Sequence, residues 1–265
     1  MSERLPTYFI SHGGGPRPWI EGMARELKPL GDALARMPNE IGTRPRAVLM
    51  ISGHWEEDAY TVQTAPHPPM LYDYYNFPPH TYEIAYPAPG DPALAERVAE
   101  LVSAAGLPVA RDADRGYDHG TFVPMAVMYP KADMPLIQLS MRRHYDPAEH
   151  FRLGQALAPL RDEGVLIVGS GLSYHNLRNF GPGAKAPSEA FDAWLSEVLT
   201  HAPDTRTAEV LDWEQAPSAR VCHAEEDHLV PLFTALGAAE NDPAERVYHQ
   251  VDIFGGVTAS SWKFG

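Results

Sequence analysis

Five histidines in short motifs are the residues of this sequence best suited to chemistry. The chain has 12 histidines and a single cysteine, so a cysteine-only metal site and an internal disulfide are excluded. Neutral imidazole binds transition metals well, and it also carries protons near neutral pH. The motifs, in chain order, are SHGGGP (11–16), SGHW (52–55), DHGTFVPM (118–125), SYHNLR (173–178) and EDHLVPL (226–232).

The first two motifs each have a structural and a functional interpretation. The glycines after His12 allow positive φ or a close approach to a ligand, and a turn with an incidental histidine fits equally well. The loop has neither the lysine and spacing of a P-loop nor the pattern GxGxxG. His54 alone is typical of a structural residue at a strand end, but a second histidine in a similar position favours metal binding.

The third and fourth motifs also leave alternatives open. Asp118 could orient the imidazole of His119, or it could cap the following helix with His119 at the surface, and the isolated motif favours the cap. The segment GSGLS at 169–173 is out of register with the hydrolase pattern GxSxG, so a nucleophilic serine is weakly supported. His175, close to Arg178, is better suited to acid/base work and to contact with an anion.

In the fifth motif, acids precede His228 at a predicted helix start. The helix dipole accounts for Glu225 and Glu226, but it does not account for His228. Arg142, Arg143 and Arg178 are candidates to pair with a substrate carboxylate. The other histidines are interpreted as structural or surface residues: His67, His80, His144, His150, His201, His223 and His249.

The elements that must position these residues follow from hydrophobic patterns. Nearly continuous apolar runs predict buried strands at 7–10, 47–52, 136–139 and 165–168. Helical spacing predicts helices at 19–37, 92–105, 147–161, 188–200 and 228–239. Asp91 and Ser188 are predicted N-caps. His12, His54 and His175 each follow a predicted strand, and open α/β sheets bind ligands beyond the carboxyl ends of their strands.

Length and composition predict an α/β fold in which a single domain spans residues 1–265. The expected architecture is a central mostly parallel or mixed sheet flanked by helices, with the site at the C-terminal edge of the strands. The net charge of −14 argues against nucleic acid as a partner. The sequence shows no signal peptide and no apolar stretch near the roughly 20 residues that span a bilayer, so we expect no membrane partner and a cytoplasmic location.

Proline, like histidine, is unusually frequent. The chain has 26 prolines, and many of them fall in loops between 66 and 92. Such loops often form the walls of an active site. Aromatic side chains in this segment suit a flat ring substrate, although ordinary loop packing explains them equally well. They are Tyr72, Tyr74, Tyr75 and Phe77.

Taken together and in this order, the five motifs resemble the class III extradiol ring-opening dioxygenases, in particular their DOPA-dioxygenase-like branch. The resemblance extends from Ser11 to SSWKFG at 260–265. It implies one divalent metal ion, with Fe(II) expected for activity and Zn(II) possible. It implies the metal ligands His12, His54 and His228.

The resemblance further implies an enzyme that cleaves a catechol ring beside the diol with molecular oxygen and incorporates both oxygen atoms. It assigns acid/base work to two histidines: His175 to accept a catechol proton, and His119 to orient oxygen and donate a proton. The third ligand is a glutamate in many class III relatives, which leaves open whether Glu225 or Glu226 replaces or supports His228. Alternatives are a zinc-dependent hydrolase, or a non-catalytic binding relative, which the presence of both acid/base histidines disfavours.

Overall fold

A mixed eight-stranded sheet forms the centre of the fold in a computed structural model that describes residues 4–265. The order across the sheet is β4-β3-β5-β2-β6-β1-β8-β7. The strands are β1 Thr7–Ser11, β2 Ala47–Glu57, β3 Tyr60–Gln63, β4 Val109–Asp112, β5 Leu136–Arg142, β6 Val165–Gly171, β7 Ala244–Ile253 and β8 Val257–Phe264.

The four central strands, β5, β2, β6 and β1, run parallel. β3 joins β5 and β8 joins β1 in antiparallel fashion. The central strands are the continuous apolar runs of the sequence and are almost fully buried, as expected when helices cover both faces. Their carboxyl ends therefore meet at one edge, and the predicted fold class is confirmed. The domain extent, 1–265, stays a prediction.

Ten α-helices occur in the described part of the chain, and they cover both faces of the sheet. Adjacent residues of β6 show this, because Gly169 faces Pro231 on one side while the Ser170 hydroxyl donates to the carbonyl of Gly120 on the other. None of these helices is both long and apolar enough to cross a membrane. They are α1 Glu21–Glu26, α2 Lys28–Glu40, α3 Pro92–Ala104, α4 His119–Met128, α5 Pro147–Leu157, α6 Pro159–Asp162, α7 Lys185–Val198, α8 Pro203–Leu211, α9 Ala219–Cys222 and α10 Val230–Gly237.

Two predicted helices are each divided in the structure. The predicted helix 19–37 is divided into α1 and α2, and α2 begins next to Pro29. The predicted helix 147–161 is divided into α5 and α6, and α6 begins at Pro159. Proline lacks the backbone N–H that would continue the preceding helix, and it disfavours α conformation in the residue before it. A proline therefore lies at each division, although Pro38 lies within α2 and Pro124 within α4 without dividing those helices.

The predicted N-cap at Asp91 is confirmed, since its carboxylate accepts from the N–H of Leu94 at 2.9 Å. The predicted N-cap at Ser188 is wrong, because α7 begins three residues earlier. The Ser188 hydroxyl instead donates to the carbonyl of Lys185 and accepts from the N–H of Thr258, which ties α7 to β8. The predicted helix 228–239 begins later, at Val230.

Candidate active site

Three imidazoles converge at the carboxyl edge of the sheet. The Nε2 atom of His54 lies 3.3 Å from Nε2 of His12 and 3.2 Å from Nε2 of His228. His12 and His228 are almost fully buried, and His54 is partly buried. Three nitrogen atoms with no intervening side chain therefore face a common point.

Each of these histidines is placed by a strand end or by a break in regular pairing. His12 follows β1 directly, and its N–H donates to the carbonyl of Gly171 at the end of β6. His54 lies within β2, where the pairing with β5 shifts register between Ile51 and Glu56. His228 lies two residues before α10, and its carbonyl accepts from the N–H of Leu172.

Glycines permit this close approach. A Cβ atom on Gly171 would overlap the carbonyl oxygen of His228, so the backbone of β6 can contact the His228 loop only without a side chain there. A Cβ atom on Gly120 would lie 2.5 Å from Oγ of Ser52 and 2.8 Å from Cδ2 of His54. The first turn of α4 therefore also requires glycine to pack against the histidine cluster.

The other two predicted site histidines lie beside the first three. The ring centroids of His54 and His119 are 3.9 Å apart, and those of His175 and His228 are 3.4 Å apart in a stacked arrangement. Asp118 does cap α4, since its carboxylate accepts from the N–H of Thr121, but the surface position considered for His119 is wrong, because the residue is buried. All five histidines of the motifs thus form one cluster.

Two carboxylates that the sequence analysis did not single out connect these rings in pairs. Asp73 Oδ1 lies 2.8 Å from Nδ1 of His119, and its Oδ2 lies 3.5 Å from Nδ1 of His54. Asp227 Oδ2 lies 2.7 Å from Nδ1 of His228, and its Oδ1 lies 3.2 Å from Nδ1 of His175. Asp227 therefore hydrogen-bonds one converging and one neighbouring histidine, whereas Asp73 hydrogen-bonds the neighbouring His119 and lies close to the converging His54.

The electrostatics favour neutral imidazoles with their Nε2 lone pairs directed inward. Burial lowers the pKa of His12 and His54 well below the usual value, and it lowers the pKa of His228 to about 4. Burial alone raises the pKa of the Asp227 carboxyl, but hydrogen bonds from two histidines outweigh it and hold that pKa well below its usual range. A proton on Nδ1 directed to a carboxylate leaves Nε2 free as a ligand or base.

The donor set fits a divalent metal ion. Nitrogen ligands about 2.1 Å from one ion, at angles of roughly 90° to 109°, lie about 3.0–3.4 Å apart, which matches the two observed separations. Two groups in residues 4–265 have metal-ligand spacing, His12–His54–His119 and His175–Asp227–His228. The Nε2 contact between His54 and His228 joins these groups.

Neither glutamate considered as a replacement for His228 belongs to either group. Glu226 is engaged at the surface, where its carboxylate lies 2.5 Å from Nη1 of Arg220. Glu225 is exposed to solvent. The carboxylate that contacts the histidines from this loop is Asp227.

A cavity of about 540 Å³ opens from the histidine cluster. From the proline-rich segment, Tyr74, Tyr75 and Phe77 line it, as the wall prediction expected, whereas the Tyr72 hydroxyl donates to the carbonyl of Ile84. The β7–β8 hairpin forms a further wall that the sequence analysis missed. Its lining residues are Tyr248, Ile253, Phe254, Val257 and Ala259.

The arginines considered for substrate binding do not line this cavity. Arg142 pairs with Glu149, and Arg143 lies beside carboxylates of the β2–β3 turn. Arg178 is exposed beside the cavity mouth.

Comparison with known proteins gives a consistent set of relatives. The family model described as the catalytic LigB subunit of aromatic ring-opening dioxygenase matches residues 6–265. A 4,5-DOPA dioxygenase extradiol from Beta vulgaris is 41% identical over 97% of this chain and 96% of its own. Dioxygenase tasH from Hapsidospora irregularis is 37% identical over 98% of this chain and 85% of its own. A crystal structure of an uncharacterized protein from Escherichia coli K12 has a TM-score of 0.79 at 28% identity, covering 99% of this chain and all, 100%, of that one.

Proposed function

The chain belongs to the family of aromatic ring-opening dioxygenases, and on this premise we propose that it is a metal-dependent extradiol dioxygenase of catechol-type substrates. The observation that carries the proposal is the convergence of three imidazole Nε2 atoms beside two further histidines on one cavity. Relatives named for DOPA, a catechol with an amino-acid arm, support the catechol part of the proposal.

His12, His54 and His228 would hold one divalent ion, with Fe(II) expected for activity and Zn(II) as another occupant that three histidines accept. Ferrous iron held there would supply a Lewis-acidic, redox-active centre for the reaction of a catechol with dioxygen. Asp227 fixes the tautomer of His228 by accepting from its Nδ1. Asp73 Oδ2 lies 3.5 Å from Nδ1 of His54, close enough for a charge interaction but without a hydrogen bond.

His175 is the proposed base that removes a catechol proton. Its Nδ1 faces Asp227 at 3.2 Å, so a proton held there leaves Nε2 as the acceptor. Stacking on the His228 ring fixes the plane of the imidazole. The nearby carboxylate would also stabilise the imidazolium that forms when the proton is taken up.

His119 is the proposed second acid/base group, and it would orient oxygen and return a proton as the ring opens. Its Nδ1 and its backbone N–H both lie within hydrogen-bond distance of Asp73 Oδ1, at 2.8 and 2.9 Å. The ring is therefore fixed from two directions, which leaves Nε2 as the atom that exchanges protons. Tyr74 and Phe77 enclose the cavity beside it and help exclude water.

Oxygen consumption by the ferrous protein with a catechol tests the proposal. We expect ring-opened product from the wild type, and a loss of roughly 10²–10⁴-fold in kcat for His175→Gln and His119→Gln with metal retained. His67→Gln, an exposed histidine outside the cluster, is the matched control and should keep wild-type turnover. Ester hydrolysis by the zinc protein without oxygen uptake by the ferrous protein would instead favour the hydrolase.

A further inference from the structure

Large apolar side chains surround the mouth of the site cavity while they remain exposed to solvent. Tyr75 is 80% exposed, Leu177 73%, Phe180 43% and Phe254 39%, and all four line the cavity. We call these four residues the apolar rim. Among residues 4–265, two other large apolar side chains are similarly exposed, Val221 and Val251. Exposed apolar surface is thus concentrated at this mouth, which is typical of a binding surface.

The wall between the apolar rim and the histidines is apolar as well. It is built from the first two helices, from the loop after β6 and from the C-terminal hairpin. Its side chains are Met23, Leu27, Leu30, Leu172, Ile253 and Val257. A ligand that extends from the histidine cluster to the mouth therefore contacts hydrocarbon along its length.

Among the described residues, the cavity wall lacks a cation for an anionic substituent, and the exposed Arg178 is a sequence neighbour of the rim residue Leu177. No lysine or arginine of the described residues lines the cavity, and its two carboxylates lie against histidine rings, Asp73 beside His119 and His54 and Asp227 beside His228 and His175. Arg17 lies behind Gly13, is 2% exposed and donates through Nε to the carbonyl of His12. The net charge of −14 further disfavours an anion.

Two of the four residues of the apolar rim, Phe180 and Phe254, are held in place by contacts with their surroundings. Phe254 lies at the tip of the β7–β8 hairpin with a φ of 49°, and its N–H donates to Glu26 Oε1 at 2.7 Å. The ring centroids of Phe180 and Phe254 lie 5.7 Å apart. A Cβ atom on Gly256 would overlap the carbonyl of Gly181, so the two rim loops are in direct backbone contact. A fixed surface of this kind costs little ordering when a ligand binds.

From these observations, and resting on the proposed function, we propose that the substrate is a catechol whose ring substituent is uncharged and apolar. The diol would face the histidine cluster, and the substituent would lie along the apolar wall and end against the apolar rim. The carboxylate of an amino-acid arm would lose hydration in this cavity without gaining a lysine or arginine of the wall as a partner. The names of the relatives therefore do not fix the substituent for this chain.

Binding to the zinc-loaded protein tests this substrate class without turnover. Titration calorimetry would compare 4-methyl-, 4-ethyl- and 4-propylcatechol with 3,4-dihydroxyphenylpropionate and its neutral amide. We expect affinity to rise about threefold to fourfold with each added methylene, and the carboxylate to bind at least tenfold more weakly than the propyl compound. Comparison of the carboxylate with its neutral amide separates the effect of the charge on affinity from the effect of the size of the substituent. Equal or tighter binding of the carboxylate would overturn the proposal.

Variants locate the contact. Phe254→Ser and Phe180→Ser should weaken 4-propylcatechol at least threefold more than they weaken unsubstituted catechol. Val251→Ser, an equally exposed apolar residue of β7 that does not line the cavity, should change neither. If the carboxylate binds more tightly and loses that advantage in Arg178→Gln, an ionic arm is recognised by Arg178 and the proposal is wrong.

Oxygen uptake by the ferrous protein with the same ligands separates this proposal from the proposed function. Preferential binding of the propyl compound without oxygen uptake by any catechol would contradict the dioxygenase function and leave the apolar preference standing. Oxygen uptake that is faster with the carboxylate, together with its tighter binding, would uphold the function and overturn the apolar substituent.

Discussion

Replacing Asp227 separates the two tasks that we assign to its carboxylate. The two oxygens face Nδ1 of His228 at 2.7 Å and Nδ1 of His175 at 3.2 Å. An asparagine has one acceptor oxygen, so Asp227→Asn can accept from one ring only. The other ring then faces an amide N–H and must carry its own proton on Nε2.

The distances decide which ring keeps its partner. The shorter bond goes to the more deeply buried His228, with a side chain 3% exposed against 21% for His175, so the asparagine oxygen should stay with His228. A proton on Nε2 of His175 prevents it from acting as a base. We therefore expect Asp227→Asn to keep zinc affinity within about tenfold of the wild type and to lose kcat by roughly 10²–10⁴-fold.

Asp227→Ala removes both contacts and should behave differently. Loss of the carboxylate behind a ligand histidine typically weakens metal binding by about 10–100-fold, and the turnover loss should persist after metal saturation. Zinc affinity would be measured by competition with a chromogenic chelator, and kcat with an oxygen electrode at saturating iron. Glu225→Gln removes the same charge from an exposed position of the same loop and should change neither quantity. Wild-type zinc affinity in a folded Asp227→Ala protein would refute the reasoning.

Three further predictions concern the cluster and its surroundings. Gly120→Ala should displace His54, weaken zinc binding at least tenfold and lower the free energy of unfolding by about 1–3 kcal/mol. A variant with wild-type zinc affinity and wild-type stability would show that α4 can move to accommodate the added methyl group. His228→Ala should lose zinc that Glu226→Gln retains, and full occupancy in the former would overturn the third ligand. Burial lowers the pKa of His150 to about 4. Below about pH 6.5 the unfolded chain therefore binds a proton at this residue that the native state does not bind, and the free energy of unfolding decreases as the pH is lowered. Urea unfolding should show that the stability of His150→Gln falls by about 1 kcal/mol less per pH unit as the pH drops from 6.5 to 4.5, and an unchanged slope would contradict this.

The converging histidines were predictable because they depend on local signals. His12 and His175 each follow a buried apolar run, and parallel strands end at one edge of a sheet. Asp73 was not predictable, because its role depends on a contact between distant segments, whereas the contact of Asp227 with His228 joins adjacent residues of one motif. Asp73 lies 46 residues from His119, and Asp227 lies 52 residues from His175.

The other differences have a similar origin. The hairpin wall comes from the last strands of the chain, which reach the cavity only because β8 pairs with β1. The sequence analysis considered a surface position for His119 because it did not foresee that the loop carrying Asp73 covers this histidine. By contrast, each divided helix has a proline next to its break, Pro29 or Pro159, although Pro38 lies inside α2 without ending it.

The central claim is dioxygenase activity. The most direct test is to measure, with the ferrous protein, how much dioxygen is consumed per catechol and the mass of the product. Catechol or 4-propylcatechol would be consumed in an oxygen electrode, and the product would be analysed by mass spectrometry. The account predicts one dioxygen consumed for each catechol, a product whose mass equals catechol plus one dioxygen, and loss of both in His12→Ala. A product with the mass of a quinone, or turnover that leaves the dissolved oxygen unchanged, would contradict it.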